Sequence, residues 1–496
     1  MKQAFIALDM NGSVGSIDPK IYGHFSEHIG GVFYDGLYVG EDSPVPNVRG
    51  FRRDLVESFR RIAPPVLRWP GGCFAETYDW RDGIGPKSER PVRVNWWYSR
   101  DHRTEPNLVG THEFIDLCRQ VGAEPYIAAN MTSTWPLHIR DWVEYCNFPG
   151  GTALSDERAR NGSGEPFGVR WWGIGNENWG GGGNMTPEMC AREFRRYSTV
   201  IGSVDKGNVN FIMCGADGHN TEWTERLMKE WAQTERYREE KTWGMSVHYY
   251  CGTAGDPQTF TEEEWYRLLT QADGMRRIVD EHRAAMDRYD PEKRIKLVID
   301  EWGCWHREGT GPSKGYNLFE QQSSMRDACV AALTLNIFNN NCDVVGMACV
   351  AQLCNNLHSL YLAGGSHFVE TPNYHVFDMY RVHQGARQIA SAVHAGSRVT
   401  EKGTLTLLSA SASEKDGYVN ITAANLDETH ETELVTETCG GSLSDEADMM
   451  LLTHEDPHAV NDFDEPERVK PVYGRVSGHS VLLPPASIVR LTYRKI

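Results

Sequence analysis

Eight short apolar segments, separated by stretches with helical spacing, constrain the fold of this chain more than any other feature. Short runs rich in Val, Ile and aromatic residues are typical of buried strands. The predicted strands are residues 21–25, 66–69, 125–129, 169–174, 211–214, 245–249, 297–299 and 344–350. Strand and helix alternate in this way to about residue 375, which predicts a (β/α)8 barrel.

Capping residues mark the start of two intervening helices. Thr261, followed three positions later by Glu264, forms a capping box, and apolar residues continue from there at helical spacing. Thr186 precedes Pro187, and proline is favoured at the first position of a helix. These signals predict helices that begin at the two threonines.

The character of the chain changes at about Tyr380. Residues 418–422 and 488–493 alternate apolar and polar side chains, and turn residues separate such segments. Alternation with period two indicates half-buried strands, so we expect a β-sandwich. We therefore predict an α/β protein in three parts: residues 1–15 contribute a strand to the sandwich, residues 16–378 form a TIM barrel, and residues 379–496 form the C-terminal β-sandwich.

Composition argues against several classes of partner. The net charge of −18 and the pI near 5.5 disfavour nucleic acid, because phosphate binding needs a basic surface. The chain has no run of about 18 apolar residues, so we expect no membrane span. The first residues do not have the pattern of a signal peptide, and we expect a cytoplasmic protein.

The cysteines are interpreted as reduced thiols. Many of the twelve, including Cys214, Cys329, Cys349 and Cys354, lie within apolar segments, as buried thiols of cytosolic proteins do. The sequence contains neither a Cys-x-x-Cys pair nor a His-Glu-x-x-His motif, and no Gly-Lys-Ser/Thr follows the glycines at 180–183. We therefore expect no metal and no cofactor.

Two acidic residues close apolar runs and are the candidates for chemistry. Glu177 follows Asn176 after the fourth predicted strand, and Glu301 ends the run that begins at Ile295. A buried strand rarely finishes in an acid unless the acid points into a cleft, and the carboxyl ends of barrel strands meet at one face. Glycoside hydrolysis requires two such carboxyl groups, one protonated and one ionised.

Further polar residues follow the other predicted strands and surround the two acids. With the aromatic Trp305, these candidates for substrate binding are Glu27, Arg68, Cys73, Asn176, His248, Tyr250 and Gln352. A sugar suits such a ring, because aromatic faces pack on sugar C–H groups and fixed polar groups bind the hydroxyls. Each residue also has a purely structural interpretation: a helix-terminal acid, a buried strand-end histidine or a core aromatic residue.

Eight motifs occur in a fixed order along nearly the whole chain. They are IYGHFSEH (21–28), LRWPGGC (67–73), YDWRDGIGP (78–86), WVEYCN (142–147), GIGNE (173–177), SVHYY (246–250), DEW (300–302) and AQL (351–353). Together they resemble glycoside hydrolase family 51, the α-L-arabinofuranosidases of clan A. The family fold, a (β/α)8 barrel with a C-terminal β-sandwich, agrees with the fold predicted above.

The resemblance implies a role for each matching residue. The family places its acid/base after the fourth strand, at Glu177, and its nucleophile after the seventh, at Glu301. Asn176 is implied to bind the sugar 2-hydroxyl, while Arg68 and Tyr250 flank the nucleophile. The residues implied to line the terminal-sugar subsite are Glu27, Cys73, His248 and Gln352.

One position departs from the family pattern, since other members carry Asn where this chain has Cys73. A thiol is a weaker hydrogen-bond partner than an amide. The substitution therefore weakens the expected contact to one sugar hydroxyl, and this contact is one of those that set which sugar the site prefers. Family members often form hexamers, so a homo-oligomer is implied.

The resemblance implies a retaining, exo-acting α-L-arabinofuranosidase that releases terminal arabinofuranose from arabino-oligosaccharides or from side chains of arabinoxylan or arabinan. We expect carboxyl groups about 5–5.5 Å apart, with Glu301 held ionised by Arg68 and Glu177 protonated near neutral pH. The alternatives are β-1,4-glucanase, xylanase or galactofuranosidase activity on the same fold, or sugar binding without catalysis. The natural polysaccharide and linkage stay open.

Overall fold

The computed structural model describes residues 2–99, 101, 103–205, 207–233, 241–252 and 255–496, so residue 1 of the predicted N-terminal segment lies outside the described residues. The strands up to the end of the barrel are β1 (Lys2–Asp9), β2 (Gly23–Phe25), β3 (Asn47–Val48), β4 (Phe51–Arg52), β5 (Val66–Trp69), β6 (Arg93–Val94), β7 (Thr104–Glu105), β8 (Glu124–Ala129), β9 (Trp171–Ile174), β10 (Asn210–Asp217), β11 (Lys241–Cys251), β12 (Lys296–Cys304) and β13 (Val345–Ala351). The later strands are β14 (Tyr361–Gly364), β15 (His367–Glu370), β16 (Arg387–His394), β17 (Ser397–Thr400), β18 (Gly403–Thr406), β19 (Leu408–Lys415), β20 (Tyr418–Asn425), β21 (Thr432–Cys439), β22 (Leu443–Leu452), β23 (Val472–Ser477), β24 (Ser480–Leu483) and β25 (Ser487–Lys495). The helices are α1 (Arg53–Arg61), α2 (Thr111–Val121), α3 (Pro136–Asn147), α4 (Ala153–Arg160), α5 (Pro187–Gly202), α6 (Thr221–Ala232), α7 (Glu262–Asp287), α8 (Met325–Asn340) and α9 (Pro372–Tyr380).

Eight of these strands close into a parallel barrel in the order β10-β11-β12-β13-β2-β5-β8-β9. All eight predicted strands are confirmed, although some of their ends differ. Strand β2 is shorter than predicted because Pro19–Tyr22 form a 3-10 turn before it. Strand β12 continues to Cys304 instead of ending at Ile299. Every residue of β5 and β13 is buried, as expected for strands covered on both faces.

The predicted helix starts are confirmed by their caps. The Thr261 amide donates to Glu264 Oε2 at 2.8 Å, and the Glu264 amide donates to Thr261 Oγ1 at 3.3 Å. Helix α5 begins at Pro187, and the Thr186 side chain accepts a hydrogen bond from the amide of Met189. Both caps satisfy amide groups that a helix leaves without partners at its N-terminus.

Nine strands form the sheet-rich C-terminal region, in the order β23-β22-β25-β20-β19-β16-β1-β21-β24. The N-terminal strand β1 joins it as predicted, antiparallel to β16 and parallel to β21. Inward-facing residues of β1, such as Ile6 and Leu8, share one apolar core with residues of the other strands, such as Ile421 and Leu491. This shared core is the centre of the β-sandwich.

The chain divides into two compact units. One comprises residues 23–249 and 280–301, and the other comprises the residues up to 22 together with 250–279 and 302–496. All twelve cysteines carry free thiols, and all except Cys73 and Cys439 are buried. Within the described part of the chain, no helix combines the length and apolar character needed to cross a membrane.

Candidate active site

Glu177 and Glu301 approach each other within the unit of residues 23–249 and 280–301. Glu177 follows the end of β9, where the backbone turns sharply and Glu177 itself has a φ of 44°, and Glu301 lies within β12. Three atoms lie within 4.8 Å of one another: one carboxylate oxygen of Glu177, one carboxylate oxygen of Glu301 and a ring nitrogen of His248. This spacing suits direct attack by one carboxylate on a bound sugar, whereas an intervening water would require about 6.5–9.5 Å.

Arg68 fixes a permanent positive charge against Glu301. It extends from β5 and is almost completely buried. Its guanidinium donates to Glu301 Oε1 at 2.7 Å and to Asn176 Oδ1 at 2.6 Å, and its Nε lies 3.4 Å from Asp300 Oδ2. The planar, rigid guanidinium of Arg68 therefore orients the side chains of Glu301 and Asn176 together.

His248, at the end of β11, bridges three carboxylates. Its Nδ1 lies 3.0 Å from Glu177 Oε1 and 3.5 Å from Glu301 Oε2, and its Nε2 lies 3.1 Å from Asp300 Oδ1. Burial alone would lower the pKa of His248, but the charges of Glu301 and Asp300 and its hydrogen bonds raise that pKa well above its usual value. The imidazole is therefore cationic at neutral pH.

This histidine corrects the expectation that Glu177 holds a proton in the free site. Burial alone would raise the pKa of Glu177, but the hydrogen bond and charge of His248 outweigh burial, so that pKa lies below its usual value. The repulsion from Glu301 that we predicted is offset because a cation stands between the two acids. The proton of the free site consequently resides on His248, which donates it in a hydrogen bond to Glu177.

Asp300 anchors this network, although we had not predicted it as a site residue. Its Oδ2 accepts a hydrogen bond from the Tyr126 hydroxyl at 2.7 Å. Burial alone would raise the pKa of Asp300, but Arg68 and His248 outweigh it, so that the pKa is lowered. The position next to Glu301 at the end of a strand was the available sequence signal.

Glu27 and Cys73 lie beside the two acids. Glu27 Oε1 accepts hydrogen bonds from the amides of Gly72 at 2.9 Å and Phe74 at 3.0 Å. Burial, followed by the charge of Glu301, raises the pKa of Glu27 to about 7. The Cys73 thiol donates to Glu177 Oε2 at 3.4 Å. Gly72 permits this close packing, because a Cβ there would lie 2.6 Å from Glu301 Oε1.

Glu76 is a second residue that sequence reasoning missed. Its Oε1 accepts from the Asn176 amide at 2.6 Å and from Asn178 Nδ2 at 3.1 Å. Its Oε2 accepts from the amides of Met131 at 2.9 Å and Thr132 at 2.8 Å. Glu76 therefore ties the loop after β8 to the loop that carries Asn176 and Glu177. Its sequence signal was weak, because it lies in a 3-10 turn and follows no strand.

Three predicted residues belong to the other unit. The rings of Tyr250 and Trp305 meet edge to face with centroids 5.1 Å apart. Gln352 is buried directly after β13, and its backbone N–H donates to the backbone carbonyl of Asn356 at 3.2 Å. The assignment of these three residues to the sugar subsite stays a prediction.

Among the described residues, two groups have metal-ligating atoms within 4.8 Å of one another. The first is Glu177, His248 and Glu301. A metal ion there would compete with the Arg68 guanidinium and the cationic imidazole, so this group does not favour one. The second is Cys304, His306 and Asp327.

Known proteins resemble this chain over nearly its whole length. Residues 58–255 match the family profile described as "Alpha-L-arabinofuranosidase 1 domain", and residues 300–487 match "Alpha-L-arabinofuranosidase C-terminal domain". An intracellular exo-α-L-arabinofuranosidase of Bacteroides ovatus is 37% identical, over 95% of this chain and 90% of its own. An intracellular exo-α-(1→5)-L-arabinofuranosidase of Streptomyces lividans is 30% identical, over 95% of this chain and 72% of its own. The crystal structure of the GH51 arabinofuranosidase of Xanthomonas axonopodis pv. citri superposes with a TM-score of 0.93 at 35% identity and covers 100% of both chains. With this agreement in sequence and in fold, the chain belongs to the α-L-arabinofuranosidases of glycoside hydrolase family 51.

Proposed function

We propose that the protein is an exo-acting α-L-arabinofuranosidase that hydrolyses its substrate with retention, using Glu301 as nucleophile and Glu177 as acid/base. One observation carries the assignment: the two acids lie close together, His248 contacts both, and Arg68 donates a hydrogen bond to Glu301. The Arg68 guanidinium donates a hydrogen bond to Glu301 Oε1 at 2.7 Å, whereas His248 Nδ1 lies closer to Glu177, at 3.0 Å, than to Glu301, at 3.5 Å. Two neighbouring carboxyl groups, one beside a fixed cation and the other hydrogen-bonded to a proton donor, suit double displacement.

In the first step, a carboxylate oxygen of Glu301 attacks the anomeric carbon of the terminal arabinofuranose. The bond to the leaving oxygen breaks, and its electron pair stays on that oxygen, which takes a proton from Glu177. The products are a covalent ester between the sugar and Glu301, the released alcohol, and an ionised Glu177.

In the second step, the ionised Glu177 takes a proton from a water molecule, whose oxygen attacks the anomeric carbon. The ester bond breaks, and its electron pair returns to Glu301. Because the anomeric carbon is inverted twice, the released arabinofuranose keeps the α-configuration.

His248 supplies the proton for the first step. In the free site the imidazole holds this proton and donates it in the 3.0 Å hydrogen bond to Glu177. Transfer along that bond yields neutral His248 and the acid form of Glu177. The charge of Asp300 opposes the loss of the proton to solvent.

The substrates are glycans that contain terminal arabinofuranosyl groups. We assign Asn176, Glu27 and Cys73 to the binding of that sugar. Asn176 shares the Arg68 guanidinium with Glu301, Cys73 donates to Glu177, and Glu27 lies near enough to Glu301 for their charges to interact. Arabino-oligosaccharides and the side chains of arabinoxylan or arabinan are the natural candidates.

An aryl α-L-arabinofuranoside tests the proposal when its hydrolysis is followed by proton NMR. We expect α-arabinofuranose as the first product, with the β-anomer appearing only later by mutarotation. We expect Glu301→Gln to lose all activity, whereas Glu177→Ala still releases a good aryl leaving group in a burst. Glu89→Gln, at an exposed position, is the control. Initial release of the β-anomer, or a preference for aryl xylosides, glucosides or galactofuranosides, would contradict the proposal.

Three further assignments belong to this proposal. The functional domains are residues 16–378 and 379–496, with residues 1–15 as a strand of the latter. The enzyme works as a homo-oligomer, a hexamer by family resemblance, which light scattering after gel filtration would test. It acts in the cytoplasm on imported oligosaccharides, which cell fractionation would test.

A further inference from the structure

A second cluster of reactive side chains lies in the unit that contains residues 302–496, and the mechanism above does not use it. Cys304 ends β12, His306 follows two residues later, and Asp327 lies in the first turn of α8. All three are essentially inaccessible to solvent. A sulfur, a ring nitrogen and a carboxylate oxygen of this group lie within 4.8 Å of one another, and His306 Nε2 is 2.9 Å from Asp327 Oδ1.

A fourth side chain, His358, lies beside this group. Its Nδ1 lies 3.8 Å from Asp327 Oδ1, and it is completely buried. The close approach of His358 to the chain before Cys304 depends on Gly303, because a Cβ there would lie 2.5 Å from the His358 Cβ. The backbone therefore brings the imidazole against the end of β12.

Three of the four imidazole nitrogens of His306 and His358 lack hydrogen-bond partners within the described residues. Within the described residues, His306 Nδ1 and both ring nitrogens of His358 make no hydrogen bond. An unpaired polar atom in the core is destabilising, and native proteins rarely leave several together. A ligand bound beside Asp327 Oδ1 through His358 Nδ1 would remove part of that cost.

The donor set matches one class of ligand. Zn²⁺ accepts a ligand set of one thiolate, two imidazoles and one carboxylate. The negative charges of the Cys304 thiolate and the Asp327 carboxylate would balance the +2 charge of the ion. Zinc bond lengths of about 2.0–2.3 Å place tetrahedral ligand atoms about 3.3–3.6 Å apart. The separations from Asp327 Oδ1, 2.9 Å to His306 Nε2 and 3.8 Å to His358 Nδ1, lie on either side of this range, and the imidazole of His358 would move toward Cys304 and His306 on binding.

The second oxygen of Asp327 has a partner that orients the carboxylate. Asp327 Oδ2 accepts hydrogen bonds from the Ser324 amide at 2.9 Å and the Ser324 hydroxyl at 3.2 Å, as part of the cap of α8. Oδ1 is thereby directed at His306 and His358. Metal-binding carboxylates are commonly held by such outer hydrogen bonds.

We propose that Cys304, His306, Asp327 and His358 form a structural site for a zinc ion. Binding replaces the thiol proton of Cys304 by a sulfur–zinc bond and releases that proton to solvent, and no electron is transferred. Four protein ligands leave no position for water or substrate, so the ion stabilises the fold and takes no part in hydrolysis.

Metal analysis of the full-length protein tests this proposal. After expression in zinc-supplemented medium and dialysis against a weak chelator, we expect about one zinc per chain by mass spectrometry. Cys304→Ala and His358→Gln should each reduce the zinc content at least tenfold. Cys329→Ala, which removes a buried thiol of α8 outside the cluster, should keep it. The catalytic acids are excluded as the binding site if Glu301→Gln also keeps its zinc.

Cobalt provides a second readout that does not depend on how stable the variants are. Zinc-free wild-type protein titrated with Co²⁺ should develop a thiolate-to-cobalt charge-transfer band and the intense visible bands of tetrahedral cobalt. Less than about 0.1 zinc per chain in wild-type protein, together with cobalt spectra lacking the thiolate band, would overturn the proposal. Zinc that is lost in Glu301→Gln but kept in Cys304→Ala would overturn it as well.

Discussion

Replacing Glu76 by glutamine should loosen the loop that carries Asn176 and Glu177. Each Glu76 oxygen accepts two hydrogen bonds, and the amide of glutamine can replace only one of these oxygens as an acceptor. The other two donors would then face an NH₂ group in a site that excludes water. Hydrogen bonds to a carboxylate are worth about 1.5–3 kcal/mol each, so the loss of two costs about 3–6 kcal/mol.

Thermal unfolding and steady-state kinetics together measure this effect. We expect the melting temperature of Glu76→Gln to fall by at least about 5 °C. We expect kcat to fall by about a hundredfold, because a shift of about 1 Å in the acid/base is enough for such a loss. Glu76→Asp keeps both acceptors on a shorter side chain and should be intermediate, and Glu89→Gln is the exposed control. A Glu76→Gln protein that melts within about 1 °C of wild type and keeps full activity would refute this account of the loop.

Three other changes test separate features of the structure. His248→Gln removes the imidazole whose raised pKa keeps a proton available to Glu177. The basic limb of the pH profile of kcat/KM should therefore move to lower pH. If that limb does not move, it reports the titration of another group. Cys73→Ala removes a weak hydrogen bond to Glu177, worth about 1 kcal/mol. The kcat/KM for an aryl arabinofuranoside should therefore fall about fivefold. A thousandfold loss would instead mean that the thiol takes part in the chemistry. Thr261→Ala removes the cap of α7 and should destabilise the protein by about 1 kcal/mol without changing kcat, as calorimetry and kinetics would show.

The barrel was predictable because its strands are apolar on both faces and its helices carry local signals at their ends. Residues 66–69 appear in the structure with the predicted boundaries. Helix α8 was harder to recognise, because nearly all its residues from Met325 to Asn339 are buried and no amphipathic period marks it. Strand ends were less certain than strand centres, since the extension of β12 depends on tertiary packing.

The two acids were predictable as a pair because each interrupts an apolar context at a strand end. The protonation state of Glu177 was not, because it depends on where His248 lies between three carboxylates. Sequence spacing contains no information about that position. Glu76 was missed for a related reason: its partners are amide groups of loops far away in the sequence, and backbone amides leave no mark in composition.

The position of β1 within its sheet has a consequence for synthesis of the protein. Residues Lys2–Asp9 are synthesised long before their partners in β16 (Arg387–His394) and β21 (Thr432–Cys439) emerge from the ribosome. Until then the strand has two unsatisfied edges, which other nascent chains can pair with. Deleting the chain from β16 onward would leave the same two edges open, so such truncated products should precipitate or attract chaperones, whereas a tag before β1 should mainly delay assembly.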